Sequence, residues 1–285
     1  MHVPFERVLL PPASLRPYVS SIVVAARPGD TSTWARLPDS GASLVFCRQS
    51  ADTSELLAVG PSTRARYKTG PSKPLFVRVG LRAGWARPLL GASLHELADR
   101  AVSVDELWGA RGARALDELA AAEGNVGGVL RTLEELILEG ARGERAMDGT
   151  SRLGLLDRAT SLLDGGTDLP PERVHALAQR LGLSERQLRR LFQDEIGVSP
   201  KRYARIARLR RVLSRVGTSS WAQLAADLGF SDQPHLNAEF RDLLGVTPRA
   251  FVERRFPRVG QCGSIMAPSP RPPEAAAARP GPPAV

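Results

Sequence analysis

An internal repeat constrains the fold of this chain more than any other feature of its sequence. The segment LAQRLGLSERQLRRLFQDEIGVSPKRY (residues 177–203) recurs as LAADLGFSDQPHLNAEFRDLLGVTPRAF (residues 224–251). Ten positions match in order, at an offset of 47 residues up to Ser231 and of 48 residues from Leu236 onward. Accidental similarity is improbable at this level of agreement. We therefore interpret the two segments as one structural unit used twice, with one extra residue in the second copy.

Each copy has the pattern of two helices joined by a tight turn. Its first helix carries apolar residues at i, i+3, i+4 and i+7, from Val174 in the first copy and from Trp221 in the second. A glycine then ends that helix, because glycine adopts the left-handed conformation without a steric penalty. A serine follows as the predicted N-cap of the second helix. These glycines and serines are Gly182 and Ser184 in the first copy and Gly229 and Ser231 in the second.

This pattern is that of the helix-turn-helix motif, whose second helix reads the major groove of DNA. The alternative interpretation of a single copy is a helical hairpin that only packs against its neighbours. The presence of two copies, with an excess of arginine on one face, makes that alternative less favoured. The predicted units cover about residues 171–196 and 219–244.

The second helix of each copy presents side chains suited to reading bases. At 100° per residue, three arginines and Gln193 point away from the apolar face of the first copy. Arginine can grip guanine O6 and N7, and asparagine or glutamine can pair with adenine. The alternative is that this face is a charged, solvent-exposed surface that binds no DNA. The predicted base-facing residues are Arg186, Arg189, Arg190, Gln233, His235 and Asn237.

A long basic helix is predicted between the two units, over residues 200–216. At 1.5 Å per residue it is about 25 Å long. Such a rod would hold the recognition helices about one DNA turn, or about 34 Å, apart, so that both enter successive major-groove segments. Further residues are expected to contact phosphates. The predicted phosphate contacts are Ser184, Lys201, Arg202, Arg205, Ser231 and Arg241.

The distribution of charge supports a polyanionic partner for this part of the chain. The net charge of the 285 residues is +9. Residues 151–256 carry 18 Lys and Arg against 12 Asp and Glu, whereas residues 1–150 carry 18 against 17. A basic domain beside a nearly neutral one indicates nucleic acid as the partner of the first and a different role for the second.

The N-terminal part is predicted to be a small, mostly antiparallel β-unit with helices. Short apolar runs such as SSIVVAAR and LFVRVGLRAG alternate with clusters of Pro, Gly, Asp and Ser. From about Pro88 onward the apolar residues recur at helical spacing. The helix expected over residues 126–139 has an apolar stripe, which we expect to pack against the N-terminal domain or against a second protomer. The fold class is therefore α+β, with an all-α double helix-turn-helix domain at the C-terminal end.

These patterns divide the chain into four parts. The predicted parts are an N-terminal domain (1–139), a linker (140–151), the DNA-binding domain (152–256) and a disordered tail (257–285) rich in Pro and Ala. Cys47 is expected to be a small buried residue. No metal ligands, catalytic residues, cofactor motif or membrane span stand out, so we expect a cytoplasmic protein that is not an enzyme.

Residues 152–256 resemble the AraC/XylS family of bacterial transcription regulators. The resemblance depends on the first copy, the connecting helix and, above all, LAADLGFSDQPHLNAEFRDLLGVTPRAF. It implies a promoter or operator in double-stranded DNA as the partner, and it places the base-reading positions on the six residues named above. Where the family often has Arg or Lys in the second recognition helix, this chain has Ala238.

The N-terminal part is similar to a small domain that accompanies such units in many actinobacterial regulators. The segments that carry this likeness are LPDSGASLVF, VGPSTRA and GLRAGWARPLLGASLHELADRAVSVDELWG. The usual Pro-Gly before LLG is here Ala83-Gly84. The resemblance implies sensing or dimerisation, with a small-molecule effector, RNA polymerase and a second copy of the chain as further partners.

Two other classes of function are alternatives to a transcription regulator. One is a small-molecule enzyme or sensor with a basic domain that tethers it to nucleic acid, but His2 and His95 are isolated and no catalytic cluster stands out. The other is an RNA-binding or architectural protein, which the aromatic content of 5% disfavours because stacking side chains are scarce.

Overall fold

The computed structural model describes residues 6–25, 31–50, 52–71, 75–122, 125–144, 150–164 and 174–257. Strands and helices together form an N-terminal region (residues 6–144), and a helical C-terminal region (residues 150–257) follows. The predicted α+β fold is confirmed. The strands are β1 (Glu6–Leu9), β2 (Val19–Ala25), β3 (Thr31–Arg36), β4 (Ser43–Arg48), β5 (Ser54–Val59), β6 (Arg66–Pro71), β7 (Leu75–Leu81) and β8 (Ala101–Ser103).

The strands of the N-terminal region pair antiparallel in two sheets. The larger sheet has the order β1-β2-β7-β4-β5-β8, and β3 pairs with β6 in a separate two-stranded sheet. Residues alternate between the two faces of the larger sheet, as its register requires. Phe46 and Val77 face the main core of the region. Cys47 is buried in a smaller cluster on the opposite face, as the sequence predicted.

Helices cover the main face of the larger sheet. The last of them buries Val129, Leu133 and Ile137 in the same core as the strands, so its apolar stripe serves packing within the region. Burial of such side chains contributes roughly 1.5–3 kcal/mol each. The helices of this region are α1 (Ala86–Leu90), α2 (Leu94–Leu97), α3 (Val104–Trp108), α4 (Ala110–Ala121) and α5 (Val126–Glu144).

The C-terminal region contains two separate apolar cores, one for each copy of the repeat. Phe192 lies in the first core with α6 (Thr150–Asp164), and Phe240 lies in the second. Helix α9 (Pro200–Ser214) contributes to both cores, through Tyr203 to the first and through Leu209 to the second. The helices are α6 (Thr150–Asp164), α7 (Val174–Arg180), α8 (Glu185–Glu195), α9 (Pro200–Ser214), α10 (Trp221–Asp227), α11 (Gln233–Leu244) and α12 (Pro248–Val252).

Both copies form the predicted sequence of helix, turn and helix. Gly182 and Gly229 have positive φ angles of 66° and 75°, as expected for residues that end α7 and α10. The segments after α8 and α11 also match each other. Ser199 and Thr247 cap the next helix through their side chains, and a proline follows each of them at the first helical turn, where no N–H is needed.

Three predicted boundaries fall differently in the structure. The connecting helix α9 ends at Ser214 instead of residue 216, and its cap is Arg215. The predicted linker 140–151 is helical at both ends, because α5 continues to Glu144 and α6 begins at Thr150. Residues 145–149, residues 171–173 of the first unit and the tail from residue 258 lie outside the described residues.

No helix within the described ranges combines the length and apolar content needed to cross a bilayer.

Candidate nucleic-acid interface

Helix α8 is fixed at its start by a capping box formed by the predicted N-cap, Ser184, and Gln187. The Gln187 N–H donates to Ser184 Oγ at 3.2 Å, and the Ser184 N–H donates to Gln187 Oε1 at 2.8 Å. These bonds satisfy N–H groups that a helix start leaves without partners. Leu188 and Phe192 then anchor the inner face of α8 in the first core. The opposite face of the helix is left for solvent or a ligand.

The three predicted base-facing arginines lie on that outer face. Arg186, Arg189 and Arg190 are all exposed. The side chain of Arg190 is 85% exposed, and its Nε lies 3.8 Å from Asp194, one turn further along the helix. Arg186 and Arg189 have neither a hydrogen bond nor an ion pair with any residue that the structure describes. Their guanidinium groups are therefore available for base edges or phosphates.

Helix α11 begins differently from α8, and the prediction that Ser231 is its N-cap is wrong. The cap is Asp232, whose Oδ1 accepts a hydrogen bond from the His235 N–H at 2.7 Å. The extra residue of the second copy lies here, and it displaces the cap by one position along the chain. A carboxylate at this position also interacts favourably with the positive end of the helix dipole.

Ser231 instead orients the ring of His235. Its N–H donates to His235 Nδ1 at 3.3 Å, and its Oγ lies 3.1 Å from the same atom. The ring also packs edge-on against Phe230, with centroids 5.4 Å apart. Because a backbone N–H can only donate, Nδ1 is the acceptor, and the proton of the neutral ring is on Nε2. His235 therefore presents a single N–H donor.

The other predicted base-facing residues of α11 lie beside His235. Gln233 is exposed in the first turn, and Asn237 is half-buried one turn further along. Ala238 is exposed and adds no polar group. The second recognition helix thus offers two amides and one imidazole, where the first offers three guanidinium groups. The chemistry of the two outer faces differs, although their helices have the same place in the repeat.

The predicted phosphate contacts differ in how free they are. Lys201 and Arg241 are exposed. Arg202 and Arg205 are mostly buried, with side-chain exposures of 19% and 26%, and both are ion-paired to Asp242. Of the predicted phosphate contacts, the two serines have their hydroxyls occupied by the local contacts described above.

Asp242 is the centre of an ion-pair network that the sequence analysis did not identify. It accepts from Arg205 at 2.6 Å, from Arg64 at 2.8 Å and from Arg202 at 3.3 Å. Glu239 pairs with Arg205 as well, at 2.8 Å. Burial alone would raise the pKa of Asp242, but the hydrogen bond from Arg205 and the three nearby arginine charges lower it overall. The one available signal was the i, i+3 spacing of Glu239 and Asp242.

A cavity of about 820 Å³ lies between the larger sheet and helices α6 and α9. Asp39 on its wall pairs with Arg78 at 3.1 Å and with Arg210 at 2.7 Å. On the helical side, Tyr203 Oη donates to Asp164 at 3.2 Å, and burial raises the pKa of the Asp164 carboxyl. The walls thus carry charges of both signs.

Comparison with known proteins assigns the C-terminal region. Residues 177–254 match the family model described as a helix-turn-helix domain. The HTH-type transcriptional regulator ArgR of Pseudomonas aeruginosa is 32% identical over 132 residues, which are 43% of this chain and 40% of ArgR. The HTH-type transcriptional activator RhaS of Escherichia fergusonii is 35% identical over 82 residues, which are 28% of this chain and 30% of RhaS. The chain thus spans less than half the length of these relatives.

A solved structure is also similar to part of this chain. It is a transcriptional regulator from Chromobacterium violaceum, with 30% identity over 36% of this chain and 92% of that chain, at a TM-score of 0.32. The family model and the regulator relatives together show that the C-terminal domain is of the AraC type. The resemblance stated from the sequence is thereby confirmed, and α8 and α11 are the second helices of the two helix-turn-helix units in this AraC-type domain.

Proposed function

We propose that this chain is a sequence-specific DNA-binding transcription regulator. The observation that carries the proposal is the pair of repeat-related helices whose outer faces hold exposed or half-buried base-reading side chains. Helices α8 and α11 would enter successive major-groove segments of a promoter on one side of the duplex. The AraC-type domain and its regulator relatives support this function for the chain as a whole.

The two helices would read different bases. Arg186, Arg189 and Arg190 suit the O6 and N7 acceptors of guanine, whereas Gln233 and Asn237 suit adenine. The Nε2–H of His235 would donate to a base acceptor or to a phosphate oxygen. We therefore expect a G-rich half-segment under α8 and an A-containing half-segment under α11.

The phosphate contacts would come from a smaller set than the sequence suggests. Lys201 and Arg241 are the exposed basic residues of that set. Arg202 and Arg205 would need to exchange their partner Asp242 for a phosphate before they could contribute. Each phosphate that the protein neutralises releases counterions, so the affinity should fall steeply with salt.

Selection from a pool of randomised duplexes, followed by binding titrations, tests this function. The selected duplex should bind far more tightly than a scrambled one, and Arg186→Ala or Arg190→Ala should each weaken binding by about 1–3 kcal/mol. Asn237→Ala should cost less. Arg142→Ala is the matched control, because Arg142 is an exposed arginine on α5, outside the AraC-type domain. Equal affinity for selected and scrambled DNA at every salt concentration would refute the proposal.

The division of the chain follows from the same proposal. Residues 1–139 would form a domain for sensing or dimerisation, and residues 152–256 would form the DNA-binding domain. Residues 140–151, which are helical at both ends, would connect the two, and residues 257–285 would form a tail. The protein would act in the cytoplasm, where bacterial DNA is found. Contacts with RNA polymerase and with a second copy of the chain belong to the same proposal. Sedimentation of the full chain with and without DNA would show whether the chain forms a dimer.

The cavity between sheet and helices favours a small polar effector as a further partner. Its walls hold the ion pairs of Asp39 with Arg78 and Arg210. An apolar ligand would displace water from these charged groups without offering them hydrogen bonds, which is unfavourable. A thermal-shift screen of small polar metabolites would test for such an effector. An Arg78→Ala variant should lose any stabilisation that a ligand gives. An enzyme or sensor tethered to nucleic acid is the alternative function, and turnover of a bound compound would favour it.

A further inference from the structure

The two recognition helices are joined to each other more weakly than to their own units. Each unit has its own apolar core, and α9 is the element that contributes to both. Arg205 on α9 adds ion pairs to Glu239 and Asp242 of the second unit. A single connecting helix resists bending, but by itself it is a poor restraint on rotation of one unit about the other.

The N-terminal region contacts the first unit at the exit of α8. Glu195, the last residue of α8, is 9% exposed in its side chain, and its Oε1 lies 3.3 Å from Arg87 Nη1 of α1. Gly197 packs its backbone against α2 so closely that a Cβ atom would lie 2.3 Å from the Leu94 carbonyl oxygen. Its φ angle of 90° further excludes other residues.

The N-terminal region contacts the second unit at the equivalent exit of α11. The Ala65 N–H donates to the Leu243 carbonyl at 2.7 Å, and Tyr67 Oη donates to the Leu244 carbonyl at 2.6 Å. The Tyr67 ring is buried in the core of the second unit. These bonds satisfy carbonyl groups that the end of α11 would otherwise leave without partners.

One short segment supports both contacts. Leu94, which touches the first unit, begins α2, and Asp99 follows that helix after one further residue. Asp99 Oδ1 accepts from the Thr63 N–H at 2.8 Å, and its Oδ2 accepts from the Thr63 hydroxyl. Those bonds fix residues 60–65, whose end makes the contact with the second unit. We call residues 60–67 and 94–99 together the bridge, so that it includes Tyr67.

We propose that the bridge positions the two recognition helices relative to each other, and so makes DNA binding selective for the spacing between the two half-segments. This inference rests on the proposed function. It gives a role to the motifs VGPSTRA and LLGASLHELADRA, which the DNA-reading face leaves unexplained. Bridge and α9 together attach each unit at two points, which opposes rotation as well as bending.

Spacing is the property that such a restraint should control. One added base pair moves the second half-segment by about 3.4 Å and about a tenth of a turn around the duplex. A rigid pair of helices cannot follow that shift without losing contacts. A pair of helices that can rotate relative to each other can follow the shift. Such a pair loses conformational entropy when it binds the native spacing, so it binds that duplex more weakly.

The first experiment measures binding of the full chain to the selected duplex and to duplexes with one base pair added or removed between the half-segments. Native protein should bind the altered duplexes at least about tenfold more weakly. Asp99→Ala and Gly197→Ala should reduce that ratio to about threefold or less. Neither residue belongs to the DNA-reading face.

The chain offers a matched control for each of these variants. Gly245→Ala introduces the same left-handed strain at the equivalent position of the second unit, where a Cβ atom would meet nothing within 4 Å. Asp99→Asn tolerates the positive φ angle of 59° and can still bond to both Thr63 groups. Both controls should keep the native spacing ratio. Tyr67→Phe is a milder disruption that keeps the ring in its core and removes the bond to Leu244.

A second experiment measures the restraint without DNA. Spin labels at positions 193 and 238, on exposed residues of α8 and α11, report the distance between the helices, after the native cysteines are replaced by serine. The native bridge should give a narrow distance distribution, and Asp99→Ala, Gly197→Ala and Tyr67→Phe should broaden it. The two controls should leave it narrow.

The outcomes separate this inference from the proposed function. One outcome is that no duplex is preferred, while the spin-label distances are narrow in the native protein and broad in the bridge variants. That outcome would refute the DNA-binding function and leave the bridge supported. Uniformly weaker binding to all spacings, with unchanged distance distributions in folded Asp99→Ala and Tyr67→Phe variants, would overturn the positioning role. Circular dichroism of each variant establishes that it is folded.

Discussion

Asp232 and Ser231 are the residues at which the two copies of the repeat differ most in local structure. The sequence predicted the cap of α8 correctly, because Ser184 and Gln187 stand at capping-box spacing. It placed the cap of α11 one residue too early, because Ser231 aligns with Ser184 before the inserted position. The insertion gives the capping task to Asp232 and leaves Ser231 to orient His235.

A pair of substitutions separates these two tasks. Asp232→Ala should lower the free energy of unfolding by about 1 kcal/mol, because the His235 N–H loses its acceptor. Ser231→Ala should cost less than half of that and should mainly weaken DNA binding, because the imidazole loses its hydroxyl contact and keeps only the backbone N–H of residue 231 to orient it. Thermal unfolding and DNA titration of both variants measure the two effects. Greater destabilisation by Ser231→Ala would contradict the assignment of the cap.

At the scale of elements, α8 and α11 share a place in the repeat but differ in what surrounds their final turns. Asp194 and Asp242 stand 48 residues apart at equivalent positions. Asp194 pairs with Arg152 and the highly exposed Arg190, whereas Asp242 binds three arginines, one of them from the N-terminal region. Helical periodicity predicted both helices, because it depends on local spacing. It could not predict Arg64 beside Asp242, because that pair is separated by 178 residues.

These surroundings predict different responses to loss of charge. Asp242→Asn should lower the free energy of unfolding at pH 7 by about 1–3 kcal/mol, and Asp194→Asn by less than about 1 kcal/mol. The folded pKa of Asp242 is lowered, so its stabilisation is complete above the unfolded value of about 3.9 and is lost as the pH falls through the folded value. The difference between native protein and Asp242→Asn should therefore shrink below about pH 4. Thermal unfolding between pH 3 and pH 7 measures it, and a difference that grows on acidification would contradict the network.

At the scale of the whole molecule, residues of the N-terminal region complete the C-terminal one. Tyr67 is 7% exposed, lies in the core of the second unit and stacks on Phe256, with ring centroids 4.9 Å apart. The composition and charge of the sequence predicted two regions with different roles, because those properties change near residue 150. They carried no signal for the contact between the regions, since an aromatic residue in a strand has the same pattern whichever core it enters.

This contact predicts that the two regions unfold together. Calorimetry of the full chain should give one cooperative transition, because separation would expose Tyr67 and strip carbonyls of α11 of their donors. Tyr67→Ala should destabilise the second unit by about 3–5 kcal/mol and split the transition into two. Tyr18→Ala is a comparison of similar burial within the N-terminal core, and it should lower the melting temperature of the single transition without splitting it. Two transitions in the native chain would contradict the coupling.

The contact of Gly197 with Leu94 has a consequence for the order of the two copies. The two copies share one sequence pattern, yet Glu195 and Gly197 fit one docking surface and the carbonyls of Leu243 and Leu244 fit another. A chimera with the copies in reversed order would place Leu243 against Arg87, and the carboxylate of Glu195 near the loop that ends at Ala65. The order of the two modules along the chain is thus matched to the N-terminal region, and exchanging them would require redesign of the surface on which they dock.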